Sequence, residues 1–175
     1  MSSWFRAVVA ALPFLAACEQ GPAVVVNYDR GKIAYDLFFH ATVKGPLKAV
    51  IHGNPFGGDA DAVHARVARR IADSSQGRPM KVTLGDDAPE PQVRMILVLG
   101  AAANQSANEL CQGEPPSEGP KRLTDDDPLL VRAVFCSKDE LLVDVEGMIK
   151  GVASVDDKRF MRLIFDIGLK LFQNR

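Results

Sequence analysis

Apolar and polar residues alternate from Ile33 to Val43, Lys44-Gly45-Pro46 interrupts the pattern, and a second alternating run extends from Leu47 to His52. Period-two alternation around a turn predicts a β-hairpin. One face would carry Tyr35, Leu37, Phe39, Ala41 and Val43 beside Leu47, Ala49 and Ile51, and would be the core. The other face would be mixed, with His40 and His52 about 7 to 8 Å apart on it. Ahead of this pair, Ala23 to Tyr28 is either a first strand or the end of a tether.

The period then changes. Gly53 to Gly58 is turn-rich, Asp59 or Asp61 can cap the next segment, and Val63, Val67 and Ile71 recur at helical spacing, so residues 60–73 predict an amphipathic helix ended by Gly77-Arg78-Pro79. Met80 to Leu84 reads as a short strand, and Gln92 to Leu99, apolar on both faces in its second half, as a central one. Ser106-Ala107-Asn108-Glu109 has capping-box spacing and starts a short helix carrying Cys111 inside the long stretch 100–128. Gly113 to Pro128 has the composition of a disordered loop. Leu129 to Ser137 and Leu141 to Glu146 flank Lys138-Asp139-Glu140 as another hairpin.

The last helix, residues 155–173 with Ser154 as its cap, confines its polar positions to an arc of about 80°. A helix lying on the outside of a sheet needs a narrower apolar stripe. Either it is wedged between sheet and another element, or part of the stripe, represented by Phe160, Ile164, Ile167 and Leu171, faces a partner protein or a second copy. The elements together predict a single α+β domain over residues 31–175, with an antiparallel or mixed sheet of about five to seven strands and two main helices packed on one face.

Residues 1–17 obey other rules. One charge, Arg6, precedes an apolar run from Ala7 to Ala17. A bilayer-spanning helix needs roughly 20 apolar residues, so this run is a signal-peptide core. It ends in Leu15-Ala16-Ala17-Cys18, which resembles the lipobox of bacterial lipoprotein precursors. The resemblance implies cleavage before Cys18, lipidation of its sulfur, and attachment to a membrane facing the periplasm, with residues 18–30 as tether or first strand. Glu19, where an aspartate resembles an inner-membrane retention signal, tilts the expectation toward the outer membrane.

Removal of residues 1–17 takes one of 21 basic residues and none of the 22 acidic ones, leaving a mature chain with a small negative charge. Nucleic-acid binders concentrate basic charge on one face, so that partner class is excluded. With Cys18 lipidated, Cys111 and Cys136 remain as an even pair in an oxidising compartment and predict a disulfide.

Reactive constellations are sparse. His40, His52 and His64 are the only histidines and lack the spacing of a zinc site; Asp125-Asp126-Asp127 lacks the glycine and downstream glutamate of a calcium loop. The glycines from Gly53 to Gly58 are succeeded by acids that repel a phosphate. No metal, cofactor or catalytic residue is predicted. The expected function is a non-catalytic binding or assembly module of the cell envelope, partnered by the membrane and by an envelope protein or a second copy. The alternatives are a periplasmic module for a small apolar ligand or lipid, and an envelope hydrolase with dispersed carboxylates.

Overall fold

A computed structural model describes residues 21–75, 79–117 and 127–173. Within them the order is β1 (Ala23–Asp29), α1 (Lys32–Lys44), β2 (Leu47–His52), α2 (Ala60–Ala72), β3 (Val82–Thr83), β4 (Val93–Leu99), α3 (Ala107–Cys111), β5 (Leu129–Ser137), β6 (Glu140–Ile149) and α4 (Lys158–Phe172). The strands form one mixed sheet in the order β1-β6-β5-β4-β2-β3. This is an α+β architecture, and residues 23–29 are a paired strand.

Two halves with different wiring make the sheet. β4, β5 and β6 are antiparallel neighbours joined in sequence, and β1 closes onto β6 antiparallel, Ala23 opposite Met148 and Asp29 opposite Val143. β2 runs parallel to both β4 and β3, with α2 in the crossover. Parallel neighbours need such a connection because the chain must return to the starting edge.

The expected hairpin of residues 33–52 is not formed. Residues 32–44 are the helix α1, and β2 pairs with β3 and β4. Ala34, Phe38 and Ala41 supply the buried face of α1, at steps of four and three that suit a helix. The β-branched residues that favour strands lie only at its ends, as Ile33, Thr42 and Val43. Leu47, Ala49 and Ile51 do enter the core, from β2. Phe39 and Val43, expected inside, are exposed.

α1, α2 and α4 cover the same face of the sheet and share one core. At one end of it Phe38 stacks on Phe172 at 4.3 Å between centroids and meets Phe135 edge-on at 6.4 Å. α4 is wedged between sheet and α2, which accounts for its broad apolar arc. Two glycines set its depth. A Cβ on Gly147 of β6 would lie 2.7 Å from Ile167 and 2.8 Å from Leu163, and one on Gly168 would lie 2.1 Å from the Ser74 hydroxyl after α2. Arg70 of α2 donates to the Met161 carbonyl at 3.0 Å and covers the Phe165 ring.

The cap of α4 is Asp157, whose carboxylate accepts from the Arg159 N–H at 2.8 Å. Ser154 instead accepts from Asp156 N–H in the turn before it. The other predicted caps hold: Asp59 accepts from Asp61 and Ala62 at the start of α2, and Ser106 from Glu109 at the start of α3.

Candidate functional site

The second face of the sheet is covered over part of its area by α3, and here the polar chemistry collects. A small apolar cluster of Ile96, Val98, Val134, Ala107 and Leu110 seats α3 on β4 and β5. Cys111 of α3 and Cys136 of β5 form a disulfide, with Cα atoms 5.6 Å apart and both residues fully buried. Arg94, opposite Cys136 in the ladder, donates to the Cys111 carbonyl at 2.6 Å. The last turn of this five-residue helix is thus fixed covalently and by a charged donor.

Beside α3, Arg132 of β5 and Asp144 of β6 form a bidentate pair, Nε to Oδ1 at 3.0 Å and Nη2 to Oδ2 at 2.6 Å. Asp144 is 3% exposed. Arg132 Nη1 also donates to the carbonyl of buried Gln105. The Gln105 side-chain oxygen in turn accepts from Ser117 N–H at 2.6 Å. The β5–β6 sheet and the approach to α3 are therefore joined through Arg132, and the segment leaving α3 is joined to them through the Gln105 side chain.

This pair forms the inner wall of an open groove of about 790 Å³, lined also by Tyr28, Arg30, Ser106, Asn108, Asp139 and Glu140. Arg30 and Glu140 pair across its mouth. The groove can take polar groups on the Asn108 amide, the Ser106 side chain and the Tyr28 hydroxyl. Its two arginines each already hold a carboxylate. A second open groove of about 580 Å³ lies between α2 and the β3 edge, lined by alanines, Arg69, Lys81 and Asp87 among others. The first groove is lined by no residue of the core that the three long helices share with the sheet, and the second reaches its margin at Ala68.

Among the described residues, the carboxylates displaced from their ordinary values move downward. Lys48 holds Asp86 low, Lys44 does the same for Glu90, and Arg159 for Asp157, in each case chiefly through a side-chain hydrogen bond. That is the direction of an ion pair and opposite to that of a general acid. His52 is also lowered, first by burial and then by nearby His64.

The three histidines do not converge. His52 and His64 meet at the end of β2, where His64 Nε2 lies 2.8 Å from the Gly53 carbonyl oxygen. His40 sits on the exposed side of α1, before β2 begins. Among the described residues no three His, Cys, Asp or Glu side chains are grouped to hold a metal ion. The Gly53–Gly58 turn is structural: Gly53 has φ +81°, and a Cβ there would meet the Leu99 carbonyl oxygen at 2.2 Å. Asn54 spans the turn by donating to Gly57 at 3.0 Å.

Phe160, Ile164, Ile167 and Leu171 are no more than 3% exposed, so the side of α4 expected to meet a partner is filled by packing within the chain. Large apolar side chains reach solvent instead on α1, at Ile33, Phe39 and Val43, on the edge strand β1, at Val25 and Tyr28, at Met148 of β6, and at Leu84 after β3. Sequence reading missed α1 because it took the segment for a strand. It missed Arg132 and Asp144 because their pairing depends on a cross-strand register. Cys18 and the lipobox, residues 125 and 126 of the acidic run, and residues 118–126 of the expected disordered loop lie outside the described residues.

No family model matches this sequence, and no curated protein matches it. Two solved structures of the PelC dodecamer from Paraburkholderia phytofirmans are similar to the chain. One, a point variant, gives a TM-score of 0.44 at 8% identity, covering 88% of this chain and 99% of that one. The other gives 0.42 at 10% identity with the same coverage.

Proposed function

We propose that the mature chain is a non-catalytic assembly module of the bacterial cell envelope, held at the outer membrane by acyl chains on Cys18 and facing the periplasm. The observation that carries this reading is the division of the three cysteines. Cys111 and Cys136 are joined and buried, as suits an oxidising compartment, and Cys18 stands alone in Leu15-Ala16-Ala17-Cys18. Among the described residues no helix is long and apolar enough to cross a membrane, so attachment through lipid supplies what the described fold does not.

The geometry near the anchor supports a close attachment. Ala23, the first residue of β1, lies five positions after Cys18, and five residues span at most about 18 Å. The domain would stand against the lipid surface on a short tether. The binding reading, in preference to hydrolysis, is supported by Arg132 and Arg30 each holding a carboxylate in the polar groove. An apolar-ligand module would need space on the sheet face where buried side chains of α1, α2 and α4 pack.

The test is chemical. Cells expressing the full chain are fed labelled palmitate, and the N-terminal peptide of the mature protein is weighed by mass spectrometry. The reading requires label on the protein, a mature N-terminus at Cys18 with the mass of attached acyl chains, and loss of both in Cys18→Ser. An unlabelled protein whose Cys18→Ser form fractionates unchanged overturns it.

A further inference from the structure

Among the described residues, α1 is the helix that leaves large apolar side chains in the open, at Ile33, Phe39 and Val43; Ile33 and Val43 share one line along it, and Phe39 flanks that line. Ile33, Asp36, His40 and Val43 are all exposed and succeed one another at steps of three, four and three. Those steps draw a single line along a helix, the spacing of the seam in helix pairs. Ile33 is 52% exposed and Val43 55%. The opposite side of α1, with Ala34, Phe38 and Ala41, is already used by the core. A line that is apolar at its ends and charged in the middle has no role in holding this helix to its own sheet.

The order of residues along the line selects its partner. When two α1 helices lie antiparallel about a two-fold axis level with residue 38, Ile33 of one copy falls opposite the partner's Val43, and Val43 opposite the partner's Ile33. Asp36 then falls opposite the partner's His40, and the reverse. All four layers match, apolar with apolar and acid with imidazole. A parallel pair would set Asp36 against the partner's Asp36. Lys32 and Lys44 also fall opposite one another at the ends of an antiparallel pair, but each is engaged within its own chain, Lys32 with Asp36 and Lys44 with Glu90. Lys32 with Asp36 at one end of the helix and Lys44 with Glu90 at the other give each end of the seam both signs of charge, and His40 lies within electrostatic reach of Glu90.

We propose that α1 is a self-association surface on which two copies of this chain pair antiparallel, through Ile33 against Val43 and Asp36 against His40. A 13-residue helix is about 20 Å long. The pair therefore buries less than the roughly 800 Å² per partner of a standard interface, and is weak in dilute solution. Attachment of both copies to one lipid surface would raise their effective concentration and populate it. That enhancement rests on the proposed anchor; the complementarity of α1 does not.

The experiment uses the full chain, expressed in bacterial cells as two differently tagged copies. One carries Ile33→Cys and the other Val43→Cys, and membranes are treated with a mild oxidant. Opposed positions meet the distance a disulfide needs, whereas 33 with 33 and 43 with 43 lie at opposite ends of the seam. The expected result is a mixed 33–43 link at least fivefold more abundant than either homotypic link. Adding Asp36→Lys to both copies should reduce it several-fold, and adding Asp36→Lys with His40→Asp should restore it. Absence of the mixed link, or equal yields of all three, overturns the pairing. Palmitate on Cys18 is measured in the same membranes, so a failure of lipidation is scored separately from a failure of α1 to pair.

Discussion

The Arg132–Asp144 pair offers the sharpest test of how the second sheet face is held. Both charges are largely removed from water, with side-chain exposures of 13% and 5%, and both Asp144 oxygens are occupied by the same guanidinium. Asp144→Leu leaves Arg132 buried with the Gln105 carbonyl as its remaining acceptor of those seen in the fold. Breaking a buried pair by removing one partner costs about 3 to 5 kcal/mol. Because the groove wets one side of Arg132, the lower end, about 3 kcal/mol, applies here. With a urea slope of about 2 kcal/mol/M for a domain of this size, the unfolding midpoint falls by about 1.5 M. The companion variant replaces both partners, Arg132→Met with Asp144→Leu. Since most of the loss comes from the stranded charge, the double variant should recover to within about 1 kcal/mol of the parent. Urea titrations monitored by circular dichroism on the four forms give the coupling directly. If Asp144→Leu alone costs under about 1 kcal/mol, or the double variant is as unstable as the two single losses added together, the pair is not the buried, coupled element described here.

Three further outcomes are expected from other parts of the fold. Replacing Cys111 and Cys136 with alanine opens a closed loop of 25 residues, which on chain entropy costs about 3.5 kcal/mol and should lower the calorimetric midpoint by roughly 10 °C; a change of only about 2 °C would count against the loop argument. Gly53 and Gly57 both have positive φ, but a Cβ meets backbone only at Gly53, so Gly53→Ala should cost more than about 3 kcal/mol and Gly57→Ala about 1. Equal losses in denaturant titrations would refute the steric account. His52 is held below its usual value by burial and then by His64. Its neutral form is favoured on folding, so the stability it contributes is complete above about pH 6.5 and is lost as pH falls through the lowered folded value. Denaturation midpoints between about pH 8 and pH 5 should therefore fall less steeply in His52→Gln than in the parent, and parallel curves would exclude His52 as the source.

How much of this was legible in the chain depended on whether burial and periodicity agreed. α2 and α4 were readable because their apolar residues recur on one side; the width of the α4 arc left a wedged position and a partner face both open, and the burial of Phe160, Ile164, Ile167 and Leu171 decides for the wedge. The disulfide came from an even cysteine pair. α1 was misread because its solvent side carries Ile33, Phe39 and Val43, so the helical stripe of Ala34, Phe38 and Ala41 was blurred into an alternation that fits a strand equally well. The same feature hid the helix and marks its proposed surface. The Arg132–Asp144 bridge had no local signal, since the two residues lie on different strands and meet only through the β5–β6 pairing, off direct opposition in the ladder. Gly147 and Gly168 likewise reveal their purpose only when α4 is laid on the sheet.

The pairing of β1 with β6 also orders events in time. Ala23 is among the first residues of the domain to reach the compartment where it folds, yet its partner Met148 comes 125 positions later. The ladder of β4, β5 and β6 can zip as each strand arrives, whereas β1 must wait with three consecutive valines unpaired until nearly the whole chain has arrived. The arriving chain is thus most vulnerable to misassociation at its leading end, and delays in delivering the C-terminal third should be more damaging than delays anywhere earlier.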